Sequence, residues 1–268
     1  MTGLTPVELP AEHPGCSDPA YLARRTHIAA ESGAHRAGPP PHIDYTRGED
    51  EVWRTVSGAL RRLHADAAVR DYRLGAAALG LPDTRVPQLA DVSARLGELT
   101  GWCVRAVPGL VPTREFYGAL AERTFLSTQY VRHPSVPFYT PEPDIVHEVI
   151  GHANGLAAPR LAGLYELAGQ ASTRAADDAA LERFSKVFWF TMEFGLVREA
   201  GGGLRTYGAG LLSSFGELQS FADAEVRPFD LDEMATRDYD ITHYQRTLYA
   251  ADSFDDVVTR LSAWFEAF

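Results

Sequence analysis

The residues of this chain best suited to chemistry crowd into one stretch, Thr140-Pro141-Glu142-Pro143-Asp144-Ile145-Val146-His147-Glu148-Val149-Ile150-Gly151-His152. Imidazole nitrogen suits first-row transition metals, and a carboxylate oxygen is its usual harder companion. On an ideal helix His147 and His152 sit about 500° apart, roughly 140° once a full turn is removed. They therefore do not share one face as an i, i+4 pair would. Either the helix is distorted there, or Gly151 ends it and His152 turns back. Two surface histidines in a turn-rich segment are the plain alternative. A zinc hydrolase with Glu148 as base is opposed by the spacing, because that motif is HExxH and this one is HExxxH.

A third ligand candidate lies downstream. The spacing predicts a helix over Leu181 to Arg198, and its run from Val187 to Leu196 is apolar nearly all round, which predicts burial. Glu193 is the exception. An unpaired buried carboxylate costs several kcal/mol or takes up a proton. A metal is the first partner to expect, and an arginine such as Arg132 or Arg205 the second. Trp189, four residues earlier, shares Glu193's face and would line whatever cavity it faces. Two histidines and one glutamate make up the facial triad of non-haem iron(II) oxygenases, which leaves positions open for oxygen and cosubstrate.

The surrounding elements must hold these groups. Residues 1–20 read as a flexible lead-in. Helices are predicted over Tyr21–Ser32, Glu49–Ala67, Asp71–Leu81, Gln88–Leu99, Thr113–Thr124 (with Thr113 as N-cap), Pro159–Ser172 and Ser253–Phe268. Trp102–Val107 and Phe125–Arg132 read as β, the loop from His133 to Pro143 is punctuated by proline, and Gly201-Gly202-Gly203 is a tight turn. The expectation is a mainly α protein with a few short β-strands, a single domain over 21–268. Its net charge of −11 lacks any basic cluster beyond short pairs, which argues against nucleic acid. No apolar run approaches a membrane span, and the first residues lack the apolar core of a signal peptide. Two cysteines, Cys16 and Cys103, make no disulfide framework and fit a reducing cytoplasm.

Four ordered motifs carry a resemblance: Thr128-Gln129-Tyr130-Val131-Arg132-His133; Tyr139 to Asp144 with His147-Glu148 and Gly151-His152; Phe190 to Leu196; and Tyr207 to Leu218. Together they resemble the pterin-dependent aromatic amino acid hydroxylases, over a likeness running from about His13 to Phe254. The resemblance implies a helix-rich catalytic domain in which His147, His152 and Glu193 bind iron(II). It implies tetrahydrobiopterin and dioxygen as partners in ring hydroxylation, one oxygen atom entering the ring and the other leaving on the pterin. By position, Arg132 looks like the clamp for the substrate carboxylate, with Thr140 and Ser213 as polar neighbours. Trp189, Pro143 and Phe194 match the wall around the substrate ring. Glu148 resembles the carboxylate facing the pterin and Phe116 its stacking partner, and Gly109, Val111 and Thr113 correspond to the loop along the pterin edge.

The chain departs from the family pattern at Leu126, where a histidine is common, and at Phe188, where a tyrosine is usual. Both positions lie near the pterin in the family, so its polar contacts there are in question. Trp189 matches phenylalanine and tyrosine hydroxylases, and Ile241 stands where phenylalanine hydroxylases carry an aliphatic residue. This ranks phenylalanine first, tryptophan or a substituted phenylalanine second, and tyrosine third, with the ring position open. The animal enzymes' regulatory domain and tetramer helix have no counterpart in these residues, so a monomer, or at most a dimer, is expected.

Overall fold

The structure, a computed structural model, describes residues 9–35, 38–199, 201–241 and 243–268. The described chain is mainly helical. Its helices are α1 (Pro19–Ala34), α2 (Arg47–Ala67), α3 (Arg70–Leu79), α4 (Leu89–Thr100), α5 (Thr113–Ala121), α6 (Asn154–Leu156), α7 (Pro159–Ser172), α8 (Asp178–Phe188), α9 (Ala209–Ser213), α10 (Phe215–Ser220), α11 (Leu231–Met234) and α12 (Phe254–Ala267). Six short strands complete it: β1 (Cys103–Ala106), β2 (Thr124–Ser127), β3 (Leu196–Arg198), β4 (Leu204–Thr206), β5 (Glu225–Pro228) and β6 (Thr247–Ala251). Two further segments, His147–Ala153 and Trp189–Glu193, are π-helical.

Local chemistry explains the boundaries. Thr46 and Glu49 form a reciprocal capping box that starts α2 two residues before the expected Glu49. Gly80 and Gly101 end α3 and α4 in the left-handed conformation, which glycine adopts without strain. The expected Thr113 cap is corrected, since Pro112 occupies the cap position and Thr113 is the first residue of α5. The lead-in is corrected as well. Residues 1–8 lie outside the described residues, but from Leu9 onward the chain is tied down. Cys16 Sγ donates to the Leu9 and Pro10 carbonyls, Gly15 N–H donates to His13 Nδ1, and Asp18 caps α1.

β1, α5 and β2 form a parallel crossover unit in which Val104 pairs with Phe125. The expected strand over Phe125–Arg132 ends at Ser127, and Thr128 onward turns inward to bond the site. The second sheet has the order β4-β3-β6-β5, with β3 and β4 antiparallel and the other pairs parallel. The predicted helix over Leu181–Arg198 is corrected at its end. It passes into the π segment at Trp189, breaks after Glu193, and Leu196–Arg198 becomes β3. Only glycine fits at 195, because a Cβ there would collide with the Tyr207 ring and the Thr191 carbonyl.

One apolar core joins α2 through α8, the sheet and α12 around fully buried Trp53, Tyr72, Phe184 and Phe265. Both π segments contribute buried residues to this core, among them Val149, Ile150, Phe190 and Met192. No helix among the described residues is long and apolar enough to cross a membrane.

Candidate active site

The angular problem posed by His147 and His152 is solved by the helix type. A π turn closes on i+5 rather than i+4, so residues five apart come round to one side. His147 and His152 both lie in the π segment His147–Ala153, and their Nε2 atoms face each other at 3.0 Å. Gly151 continues the helix and does not end it. Glu193 closes the second π segment and brings Oε1 to 3.4 Å from His152 Nε2. The alternative arginine partners of Glu193 are occupied elsewhere: Arg132 pairs with Asp144 and Arg205 with Glu199.

The proton arrangement fits a cation at this point. Ser213 Oγ donates to the Ala209 carbonyl at 2.8 Å, so it accepts from His147 Nδ1, also at 2.8 Å. That bond leaves His147 Nε2 with a lone pair. His152 Nδ1 lies 2.9 Å from the Tyr165 hydroxyl, the outer partner that fixes a ligating histidine's tautomer and orientation. Burial holds His147 down to about 4 and His152 well below its ordinary range, so both imidazoles are neutral, the state that ligates. Burial likewise pushes Glu193 up to about 8, opposed by the Gly210 backbone N–H. Such a carboxylate stays charged at neutral pH only beside a cation. Two neutral imidazole nitrogens thus face each other with a Glu193 oxygen beside one of them, residue types of the kind that bind ferrous iron.

Glu148 competes for the third place. One ligand atom each from His147, Glu148 and His152 lie within 4.8 Å of one another. Its Oε1, however, already accepts from Thr128 N–H at 3.2 Å and Thr128 Oγ at 3.1 Å. Glu193 is not part of that grouping, and it reaches the imidazoles at His152 Nε2.

Asp144, which the sequence does not single out, ties the site together. Fully buried, its carboxylate accepts from Arg132 N–H (2.9 Å), Nε (3.0 Å) and Nη2 (2.7 Å), and from His147 N–H at 3.3 Å. It caps the helix bearing His147 and locks the Arg132 guanidinium in one act. A signal existed, since an aspartate three residues ahead of a helical position is a capping pattern.

Of the residues expected to line the substrate ring, Trp189 and Phe194 are in contact. The Trp189 ring lies 4.6 Å from Phe194 and stacks on Tyr239 at 4.4 Å. Pro143 and Thr140 are half-buried nearby in sequence to Asp144, and Thr140 Oγ donates to the Glu142 carbonyl. Ser213, expected beside the substrate, gives its hydroxyl to His147 and Ala209. Ile241 is corrected: it is 71% exposed, because the loop turns Tyr239 and Gln245 toward Trp189 and leaves Ile241 to solvent.

On the pterin side, Phe116 packs edge-on to Phe125 (5.9 Å) and Phe188 (6.3 Å), and Phe125 lies 4.6 Å from the His152 ring. Leu126 and Val107 join Phe116 in a small apolar cluster, so the departures at Leu126 and Phe188 make this side greasy. Gly109 is buried, Val111 half-buried and Thr113 exposed.

Two supports of the centre are testable. A Cβ on Gly151 would lie 2.7 Å from the Ala209 carbonyl oxygen and 3.3 Å from Ser213 Cβ. Gly151→Ala is expected to push α9 off the π segment, lowering stability by about 1–3 kcal/mol and iron affinity by roughly tenfold or more. Thermal denaturation and metal analysis check it. His64, buried, lies with Nε2 2.7 Å from the Leu212 carbonyl beside Ser213, and burial holds it down to about 4. The unfolded chain therefore binds the extra proton first. Stability is fully present above pH about 6.5 and is lost as pH falls toward 4. In urea titrations at pH 7.5 and 5, His64→Gln should reduce this loss by on the order of 1–2 kcal/mol.

Two neutral imidazoles with the carboxylates of Glu148 and Glu193 close by, on π segments of a helical domain, make a candidate centre for a non-haem metal. A family model described as biopterin-dependent aromatic amino acid hydroxylase matches residues 4–268, and the chain belongs to that family. It is 46% identical over 255 residues to a phenylalanine 3-hydroxylase of Streptomyces coeruleorubidus, covering 95% of this chain and 91% of the relative. It is 41% identical over 257 residues to the phenylalanine-4-hydroxylase of Rattus norvegicus, covering 93% of this chain but 56% of that protein. Against the crystal structure of Chromobacterium violaceum phenylalanine hydroxylase with iron(III) and 7,8-dihydrobiopterin, the TM-score is 0.80 at 30% identity, covering 90% of this chain and 91% of that one. The chain is thus an aromatic amino acid hydroxylase by family, and zinc hydrolysis has no support left.

Proposed function

We propose that this enzyme hydroxylates the ring of L-phenylalanine, using iron(II) held by His147, His152 and Glu193, a tetrahydropterin and dioxygen. The observation that supports the reading is the pair of facing neutral imidazole nitrogens with a Glu193 oxygen beside His152, in a chain whose Trp189 and Phe194 rings pack together on either side of Glu193 in sequence. When bound, iron and pterin together supply the activation of dioxygen that an aromatic ring requires. The chain's own residues do the positioning. Arg132, its Nε and Nη2 fixed by Asp144 and its Nη1 donating to the Pro137 carbonyl at 3.4 Å, turns the second Nη1 hydrogen to the amino acid carboxylate. Trp189, Phe194 and Pro143 confine the ring. Glu148, its Oε1 held by Thr128, keeps Oε2 for pterin N–H groups, while Phe116 and the loop at Gly109, Val111 and Thr113 border the pterin plane. Burial of the centre keeps water from competing.

The higher identity to a phenylalanine 3-hydroxylase, over nearly that protein's whole length, favours C3 over C4 as the position attacked. A cytoplasmic setting is supported by Cys16 and Cys103 both being free thiols. The test is incubation with iron(II), a tetrahydropterin, oxygen and each aromatic amino acid, with products located by mass spectrometry and NMR. Phenylalanine should give 3-hydroxyphenylalanine. Exclusive hydroxylation of tryptophan or tyrosine would overturn the substrate, and exclusive 4-hydroxyphenylalanine the ring position.

A further inference from the structure

Trp189 is held on more than one side. Its indole N–H donates to Gln245 Oε1 at 3.0 Å, a contact spanning 56 residues of sequence. Its face stacks on Tyr239, with centroids 4.4 Å apart and planes inclined by 14°. Gln245 is itself fixed. Its Nε2 donates to the Asp240 carbonyl at 2.7 Å and the His243 carbonyl at 3.1 Å, and its backbone N–H donates to Glu217 Oε1 at 2.7 Å. Glu217 is buried in α10, directly after the helix that supports His147 through Ser213. Gln245 is thereby clamped to the same scaffold as the candidate metal centre.

An indole ring has two side-chain torsions, and an edge hydrogen bond together with a face contact removes both. We infer that Gln245 and Tyr239 are positioning residues that fix the plane of Trp189 and so select the ring carbon of the substrate presented for hydroxylation. The inference rests on the proposed phenylalanine reaction. C3 and C4 are neighbouring atoms, so a small rotation of the confined ring exchanges them. Neither residue touches the metal ligands in the bonds described, and the lever acts through the wall alone.

The test compares the wild type with Gln245→Met, which removes the acceptor at similar length, and with Tyr239→Leu and Tyr239→Phe. Three readouts are taken: the ratio of 3- to 4-hydroxyphenylalanine, the tetrahydropterin oxidised per hydroxylated product, and the Trp189 indole N–H resonance, assigned by its loss in Trp189→Phe. Gln245→Met and Tyr239→Leu should shift the product ratio by about tenfold, raise unproductive pterin oxidation, and affect kcat more than KM, with iron content kept. Tyr239→Phe, which retains a ring, should recover most of the wild-type ratio. The Trp189 resonance should move in Gln245→Met even without substrate. An unchanged product ratio and coupling in folded Gln245→Met and Tyr239→Leu would overturn the inference, as would a Tyr239→Phe shift equal to that of Tyr239→Leu. If the wild type makes no hydroxyphenylalanine, the substrate reading fails separately, and an unmoved indole resonance would then still sink the clamp.

Discussion

Glu193→Ala is expected to abolish iron retention and turnover together, while Glu148→Ala keeps its iron. Losing an outer hydrogen-bond partner of a metal ligand typically lowers affinity about 10–100-fold, so losing the only anionic ligand should exceed that. Glu193 has no arginine to compensate, and its Oε1 stands 3.4 Å from the His152 nitrogen that also faces His147. Glu148, by contrast, is bonded to Thr128 through both a backbone and a side-chain donor. Anaerobic reconstitution with iron(II), gel filtration and metal analysis separate the two variants. Iron lost from Glu148→Ala and retained by Glu193→Ala would exchange their roles. His147→Ala should behave as Glu193→Ala does.

The largest effect on stability is expected at Asp144. Its side chain and that of Arg132 are 1% and 2% exposed and share a two-point ion pair. Removing one member of a buried pair strands the other charge and costs about 3–5 kcal/mol. Asp144→Ala also removes the cap on the His147 segment, so urea unfolding of the metal-free protein should show a loss at or above the top of that range. Against a total stability of about 5–15 kcal/mol, this variant is near the limit of folding. Asp144→Asn, which keeps an acceptor for His147 N–H, should lose less. Equal urea midpoints for wild type and Asp144→Ala would contradict the assignment. Arg132→Ala strands Asp144 in the same way, so its effect on substrate binding is overlaid on a structural one.

Residue type singled out His147, His152 and Glu193 as candidates, and the family resemblance joined them into one proposed ligand set. The five-residue spacing of His147 and His152 left two readings, a distorted helix or an end at Gly151, and the π segment His147–Ala153 is the first of them. Spacing alone does not choose between them. The end of the helix at Glu193 depends on pairing across sequence: Leu196–Arg198 leaves the helix to pair with β4 and β6, and Gly195 lets Tyr207, twelve residues on, pack against the bend. Pairings across sequence were equally hidden. Trp189 finds Gln245 and Tyr239, and His152 finds Tyr165, only once the sheet and helices have brought them together. Ile241 failed as a pocket residue because its neighbours, not its own side chain, face inward. The helices themselves were readable to within a few residues wherever capping residues or left-handed glycines marked their ends.

Anomalous diffraction at the iron edge, from crystals reconstituted with iron(II), tests the central assignment most directly. A single iron should appear about 2.0–2.3 Å from His147 Nε2, His152 Nε2 and a Glu193 oxygen, with its remaining positions facing the Trp189 wall. Iron bound elsewhere, or held by Glu148 with Glu193 turned away, would contradict it.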